Sequence, residues 1–342
     1  MGITIHRIAE ESRTSIATVS KVLNNREGVS EQIRLKVLQT AERLGYFPYI
    51  KARESGLFRQ KEKYIAEIFG HLHPLLLHKL KLGISNIVNN TKYYEVTHFL
   101  TNFEEKNINK VKLFINNLMR DNDMIGVIIS FVKISDKIIQ DLIDSKLYTV
   151  LINIKSDVAS SIIIDNVKAS FTATEYLIKT GCKKIGLIVS DDFSISVWQD
   201  RVTGYKEALK EYSINFNPNL IEYEATFEPN QIKLATRTLV EKNKDLDGIV
   251  YASDWQAFAG LQYLREQNIK VPDEISIIGF DNLEFDELIQ PSLTSVDQPV
   301  EEMGQIATNL LIEMIKKKRL VKRNIILKSD LVIRDSTKKI KK

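Results

Sequence analysis

The chain of 342 residues has a single cysteine, Cys182. One thiol excludes an intrachain disulfide and any thiolate-rich zinc site, and it suits a reducing compartment. Long apolar runs are missing as well. The longest, Met124 to Val132, falls far short of a bilayer span and reads as one buried strand. The amino-terminal stretch MGITIHRIAEES carries an early His and Arg and no continuous apolar core, so no secretory signal is expected and a cytoplasmic location is. Enzyme signatures are equally scarce: there is no Walker loop, no G-x-G-x-x-G and no His-Glu-x-x-His. The lone S-x-x-K at Ser130 to Lys133 lacks the companion motifs of acyl-transfer enzymes. The histidines His71, His73 and His78 have a metal-like spacing, but no carboxylate or cysteine cluster accompanies them, so a loop facing a cleft explains them better. Enzymatic activity, a cofactor and a metal are therefore not expected.

What is present begins with the placement of charge. The formal net charge is +4, yet residues 1–61 hold 11 Lys and Arg against 6 Asp and Glu, leaving 37 against 38 in the rest. All of the excess positive charge sits in the first sixth of the chain, which points to a polyanion partner for that segment alone. Three short helices are predicted there. Ile5, Ile8 and Ala9 give the stripe of the first; Thr14 and Ser15 offer an N-cap for the second, whose stripe is Val19, Val22 and Leu23. In the third, Ser30 caps a stripe of Ile33, Val37, Leu38, Ala41 and Leu44, Gly45 supplies a left-handed end, and Pro48 prevents resumption. Two helices joined by a tight turn and braced by a third form a helix-turn-helix. Ile16, Ala17, Ser20 and Lys21 then project from the amino-terminal half of the second helix, where a recognition helix meets base edges. Lys21 can donate to guanine O6 and N7, and Ile16 and Ala17 can touch a thymine methyl. Thr18 and Ser20 suit phosphates, which position without specifying. The plainer alternative is a small three-helix bundle with a solvated polar face.

From Lys63 onward apolar strands alternate with amphipathic helices. YIAEIFG, VTHFL, MIGVIIS and YTVLINI are separated by helical segments near 75–90, 107–121 and 135–146; SSIIID, KIGLIVS, LIEYEA, DGIVYAS and ISIIGFD form a second series with helices near 166–180, 200–212, 229–242 and 254–268. This punctuation implies two parallel sheets with helices on both faces, in one bilobed unit. Ligands of open parallel sheets bind beyond the carboxyl ends of the strands. Those ends place Asn153, Asp191, Asp192, Ser253, Asp254, Trp255, Asp281 and Asn282 around a cleft, with Trp198 and Arg201 opening a helix nearby. Carboxylates, an amide, a guanidinium and indoles together suit a polyhydroxylated ligand. Asp165 and Asn166 read as a cap for the helix that follows.

The run ITIHRIAEESRTSIATVSKVLNNREGVSEQIRLKVLQTAERLGYFP resembles the DNA-binding domain of LacI/GalR-family bacterial transcriptional regulators. WQDRVTGYKEAL, YASDWQAFAGL, PDEISIIGFDN and PSLTSVDQPVEEMG resemble that family's effector-binding segments. The resemblance implies an α/β fold with a three-helix helix-turn-helix domain at 1–48 and a hinge at 49–61. A bilobed periplasmic-binding-protein-like domain follows at 62–342, with lobe 1 at about 62–157 plus 293–320 and lobe 2 at about 158–292 plus 321–336. It implies DNA contact through Thr4, Ser15, Ile16, Ala17, Thr18, Ser20, Lys21, Asn24, Arg53 and Leu57. It implies effector contact through Asn153, Trp198, Arg201, Phe227, Ser253, Asp254, Trp255 and Asp281. The chain departs from the family where Arg13 takes a turn position usually held by Gly or Asn, and where Ser55 takes the position of the hinge leucine. Either Leu57 substitutes for that wedge, or the hinge bends DNA less, or the segment is a flexible basic tether. Asn153 and Ser253 replace the usual Asp and Asn. The expected function is a homodimeric repressor of a carbohydrate-utilisation operon, bound to a pseudopalindromic duplex operator and gated by a sugar-like effector, with no membrane partner. A nucleobase or sugar phosphate corepressor is the alternative effector, and a solute-binding protein the alternative class.

Overall fold

The structure, a computed structural model, describes residues 4–23, 26, 28–44, 63–70, 73–100, 114–119, 123–191, 196–224 and 228–340. The chain divides into two compact units, Met1–Glu62 and Lys63–Lys342.

In the first unit, α1 is Ile5–Ser12, α2 is Ile16–Leu23 and α3 is Glu31–Arg43. Their core is Ile8, Ala9, Val19, Val22, Val37 and Ala41, with Ile5, Leu23, Val29, Leu38 and Leu44 packed at its margin. Each large aliphatic side chain buried there is worth about 1.5–3 kcal/mol over leaving it in water. The expected stripe on α3 is too long by one residue: Ile33 is 40% exposed, as is its neighbour Leu35 at 54%. Two helices of eight residues are too short to cover all of a helix of thirteen, so its first turn projects past them. Arg13 adopts a fully left-handed conformation, φ 51° and ψ 46°, and its amide donates to the Ala9 and Glu10 carbonyls as α1 ends. The turn is therefore made without glycine, at a steric cost of roughly 1–2 kcal/mol.

The second unit holds two six-stranded sheets. Its elements, in chain order, are β1 Lys63–Phe69, α4 Pro74–Val88, β2 Tyr93–Phe99, β3 Met124–Ser130, α5 Asp136–Asp144, β4 Tyr148–Ile152, β5 Ser160–Ile164 and α6 Asn166–Lys179. They continue with β6 Ile185–Ser190, α7 Ser196–Glu211, β7 Ile221–Glu224, α8 Pro229–Lys242, β8 Gly248–Tyr251 and α9 Asp254–Glu266. The chain closes with β9 Ser276–Asp281, β10 Thr294–Asp297, α10 Val300–Lys317, β11 Asn324–Leu327 and β12 Leu331–Val332. A further helical stretch covers 114–119. The first sheet has the order β11-β5-β4-β3-β1-β2, and the second β12-β10-β9-β8-β6-β7. All pairings are parallel except β12 on β10. Strands buried on both faces are continuous apolar runs rather than alternating ones; every residue of β6 and of β9 is buried.

Pairing moves three strands from the lobes expected for them. β5, assigned to lobe 2 at 158–292, pairs with β4 through Val150 opposite Ser160 and belongs to the first sheet. β10, expected in lobe 1, joins β9 in the second sheet, and β11, expected in lobe 2, joins β5 in the first. An apolar run reports that a strand is buried; only its hydrogen-bonded neighbour decides which sheet holds it. The chain thus crosses between lobes after β5, after β10 and after β11. The carboxyl ends of both parallel sheets meet at these crossings. Helix α10 returns across the first lobe, and its approach to α4 is close enough that a Cβ on Gly83 would lie 2.1 Å from the Glu301 carbonyl oxygen. Only glycine fits there.

Candidate functional site

The amino-terminal unit presents α2. Ser15 begins it as an N-cap: its Oγ accepts from the Thr18 amide at 3.0 Å and lies 2.8 Å from Thr18 Oγ1. Ser12 Oγ donates to the Ile8 carbonyl at 2.6 Å and meets Thr14 Oγ1 at 2.9 Å, tying α1 to the turn. Val19 and Val22 point into the core, which leaves Ile16, Ala17 and Lys21 exposed and Thr18 and Ser20 half-buried along the opposite side. Thr4, ahead of α1, is also exposed. The face expected to meet DNA therefore presents one cation, Lys21, and two apolar side chains, the large Ile16 and the small Ala17, to solvent. Asn24, Arg53, Leu57 and the hinge serine Ser55 lie outside the described residues.

Within the second unit the cleft is built from strand ends. Asn153 follows β4 of the first lobe with φ 54°, and Asp281 ends β9 of the second with φ 131°, both conformations that side chains other than glycine rarely adopt. They are joined through Gln298, which follows β10: Asn153 Nδ2 donates to Gln298 Oε1 at 3.4 Å, and Gln298 Nε2 donates to Asp281 Oδ1. Asn153 Oδ1 is buried with no hydrogen-bond partner among the described residues, leaving an acceptor at the mouth of β4.

Arg201 is the largest fully buried side chain among the described residues. Its Nε donates to Asn166 Oδ1 at 3.1 Å and its Nη1 to the Ala252 carbonyl. Its guanidinium lies 3.5 Å from the centre of the Phe280 ring and 5.1 Å from that of Trp198. Nη2 makes no hydrogen bond among the described residues. The helix is brought this close by Gly204, where a Cβ would stand 2.0 Å from the Val167 carbonyl oxygen of α6. Burial lowers the Arg201 guanidinium to about 10, against the pull of Asp281, Asp254 and Asp200. It therefore stays charged at neutral pH.

Opposite it, burial pushes Asp281 up to about 8, and the Asp254 charge adds to the rise while Arg201 and the Gln298 amide oppose it. Asp254 is wholly buried, with Oδ1 accepting from Ser295 Oγ at 2.6 Å and Oδ2 accepting from the Leu283 amide at 3.1 Å, so within the fold it ties α9 to β10 and to the segment that follows β9. Ser253 too is engaged within the fold, accepting from the Gln256 amide at 3.2 Å as the N-cap of α9. Trp255 meets His73 of the first lobe, ring centres 4.6 Å apart, and His73 Nδ1 accepts from the Leu75 amide as α4 begins. Asp191 is exposed after β6. Phe227, Asp192 and His71 lie outside the described residues. Ser130 of the S-x-x-K string is fully buried while Lys133 is exposed, which separates the two members of that motif. Among the described residues no group of His, Cys, Asp or Glu is placed to hold a metal, and no helix is long and apolar enough to cross a membrane.

Sequence reasoning missed Gln298, Asn166, Phe280 and the pair Asp286 and Arg334. Asn166 stood out only as a cap, a role its neighbour Asp165 fills by accepting from the Lys168 amide at 2.9 Å. The signal for Gln298 was its place one residue beyond β10, at a crossing between lobes.

Residues 4–49 match the bacterial regulatory proteins of the lacI family, and residues 174–337 match the periplasmic binding protein-like domain. The HTH-type transcriptional regulator RegA of Clostridium saccharobutylicum is 32% identical over 339 residues, covering 98% of this chain and 100% of that protein. The chain belongs to the LacI family of bacterial transcriptional regulators. Catabolite control protein A of Priestia megaterium is 30% identical over 340 residues, with 99% of this chain and 100% of that protein covered. The ribose operon repressor of Halalkalibacterium halodurans is 28% identical over 336 residues, with 98% and 97% covered. In fold, this LacI-family chain is similar to the lac repressor dimer bound to operator and the anti-inducer ONPF. The TM-score is 0.75 at 20% identity, over 98% of this chain and 99% of that one. Regulators of the family bind operator DNA and small-molecule effectors and act as dimers, and the chain is a regulator, not an enzyme.

Proposed function

We propose that this LacI-family regulator is a dimeric repressor of a carbohydrate-utilisation operon, and that a small sugar-like molecule bound between the two lobes sets its affinity for a pseudopalindromic operator. One observation carries the ligand side: the run Asn153, Gln298, Asp281 crosses from lobe to lobe beside the buried Arg201 guanidinium, whose Nη2 has no hydrogen-bond partner among the described residues. Unpaired acceptors and donors at the carboxyl ends of two facing sheets match the vicinal hydroxyls of a sugar. The relationship to a ribose operon repressor favours the same class. A ligand that prefers one arrangement of the lobes changes the fraction of protein able to place two recognition helices in successive major grooves. Arg201 keeps its charge with no carboxylate in hydrogen-bond contact among the described residues, and this supports a second reading in which the effector is a sugar phosphate acting as corepressor.

The test is a thermal-shift and calorimetric screen of sugars, sugar phosphates and nucleobases on the wild type, Arg201→Ala and Asp281→Ala. A neutral sugar is expected to stabilise the wild type. Each variant should bind it roughly ten- to a hundredfold more weakly, since a hydrogen-bonding partner of a desolvated group is removed. Variants that respond like wild type would remove the cleft from the argument, and a response to sugar phosphates alone would select the second reading.

A further inference from the structure

The body of the protein is nearly neutral, yet it holds two dense cationic segments, at 316–323 and at 338–342, of which the first lies wholly within the described residues. Six of the eight residues from Lys316 to Arg323 are Lys or Arg. All six are exposed, where α10 ends and the chain turns toward β11. Glu313 answers two of them, at 2.8 Å from Lys317 Nζ and 3.1 Å from Arg323 Nη1. Lys322 Nζ donates to the Asp157 carbonyl. The side chains of Lys316, Lys318 and Arg319 make no hydrogen bond or ion pair among the described residues.

Helix stability does not account for the cluster. Cations favour a helix carboxyl end, but the effect fades within the last turn, and Arg319, Lys322 and Arg323 lie beyond it. Lys318 is itself the left-handed residue that ends α10, φ 50°, a position that glycine fills without strain. A cation stands there at a steric cost.

Topology says which end of the lobe carries it. β11 runs parallel to β5 with Asn324 opposite Ser161, and β5, β4, β3 and β1 run parallel in turn. The turn before Asn324 therefore lies at the amino end of the sheet. That is the end where β1 begins at Lys63, and where the chain arrives from the helix-turn-helix segment. The exposed Lys92, just before β2, is at the same end.

We propose that Lys316, Lys318 and Arg319 form a second anionic-ligand surface that contacts the phosphate backbone of duplex DNA flanking the operator, adding sequence-independent affinity to the base reading by α2. It rests on the proposed DNA-binding function. Free, unpaired ammonium and guanidinium groups displace condensed counterions from a polyanion, and each such contact steepens the salt dependence of binding.

The test uses the full-length protein with a 20-base-pair duplex, selected from a random pool by the wild type, and with the same duplex extended to 40 base pairs. Affinity is measured by fluorescence anisotropy across a salt series. The wild type is expected to favour the longer duplex. The variant Lys316→Gln, Lys318→Gln, Arg319→Gln should lose that preference, with the salt slope on the longer duplex reduced by about one for each lost phosphate contact. Lys316→Arg, Lys318→Arg, which preserves charge, should retain both. An unchanged slope and length preference in the Gln variant overturns the proposal; it is also the outcome expected if the cluster serves an acidic protein. Failure of the wild type to retain any duplex overturns the DNA-binding reading itself, and this proposal with it.

Discussion

At the residue scale the densest electrostatics lie just behind the cleft, in Asp254, Asp281 and Asp286. Asp286 is fully buried, neither oxygen accepts a hydrogen bond among the described residues, and Arg334 Nη1 stands 3.6 Å away. Burial and the neighbouring Asp254 charge push Asp286 up to about 9, with Arg334 opposing. The native state thus holds a proton that the unfolded chain releases near pH 4, so this group's contribution to stability falls as pH rises from there toward its folded value. Asp286→Asn is neutral throughout and keeps the shape, while Arg334 retains the Leu293 carbonyl at 2.8 Å and Asn282 Oδ1 at 2.7 Å. Thermal melts between pH 5 and 8 are expected to fall less steeply for the variant, by up to roughly 1 kcal/mol per pH unit. Equal slopes would mean that Asp286 is ionised in the native state. In the other unit, Lys21→Ala should relax discrimination at one position of each half-site by about 1–3 kcal/mol in competition with altered duplexes. Uniform weakening against every duplex would make Lys21 a phosphate contact. Arg201, Asp281 and Lys21 could be nominated from the sequence because each sits at a fixed offset within a local pattern. Asp286, Arg334 and Gln298 were not, because their roles arise from partners dozens of residues away.

Elements were legible wherever a local period decided them, and sheet membership was not. The alternation of apolar runs and amphipathic segments located the strands and helices of both lobes, but β5, β10 and β11 were sorted by hydrogen-bonded neighbours that no run records. The same limit hid the crossing of α6 and α7. Gly204 looked like an ordinary glycine in an amphipathic helix, yet it lets α7 press against the α6 backbone and brings Arg201 to Asn166. Gly204→Val places carbon against the Val167 carbonyl and the Phe171 amide, backbone atoms that cannot rotate away. Such overpacking typically costs about 1–3 kcal/mol. The expected outcome is a lower urea midpoint together with weaker effector binding by calorimetry, because separating the helices also moves the guanidinium. Lost stability with wild-type effector affinity would show that Arg201 does not depend on this crossing.

For the whole ligand-binding unit, the arrangement of the lobes is held by contacts that no single lobe contains. Lys79 Nζ of α4 donates to the Asn282 carbonyl at 2.9 Å, and Lys155 pairs with Asp200 of α7 at 2.8 Å. Lys155 is more than half exposed, so its pair is worth well under 1 kcal/mol, and the two lysines together about 1 kcal/mol or a fivefold factor. A ligand shifts a two-state equilibrium only by its differential affinity for the two states. If the effector selects the arrangement these lysines bridge, Lys79→Ala with Lys155→Ala should weaken effector binding about fivefold while leaving the Arg201 and Asp281 side chains, the proposed ligand contacts, in place. Without ligand, the same variant should move operator affinity opposite to the direction in which the effector moves it, and by no more than that factor, because the coupling is reciprocal. Calorimetry and operator anisotropy on one preparation check both halves. If neither affinity changes while circular dichroism shows an intact fold, the bridging lysines do not discriminate between the two arrangements, and the gating contacts must lie among Asn153, Gln298 and Asp281 at the floor of the cleft.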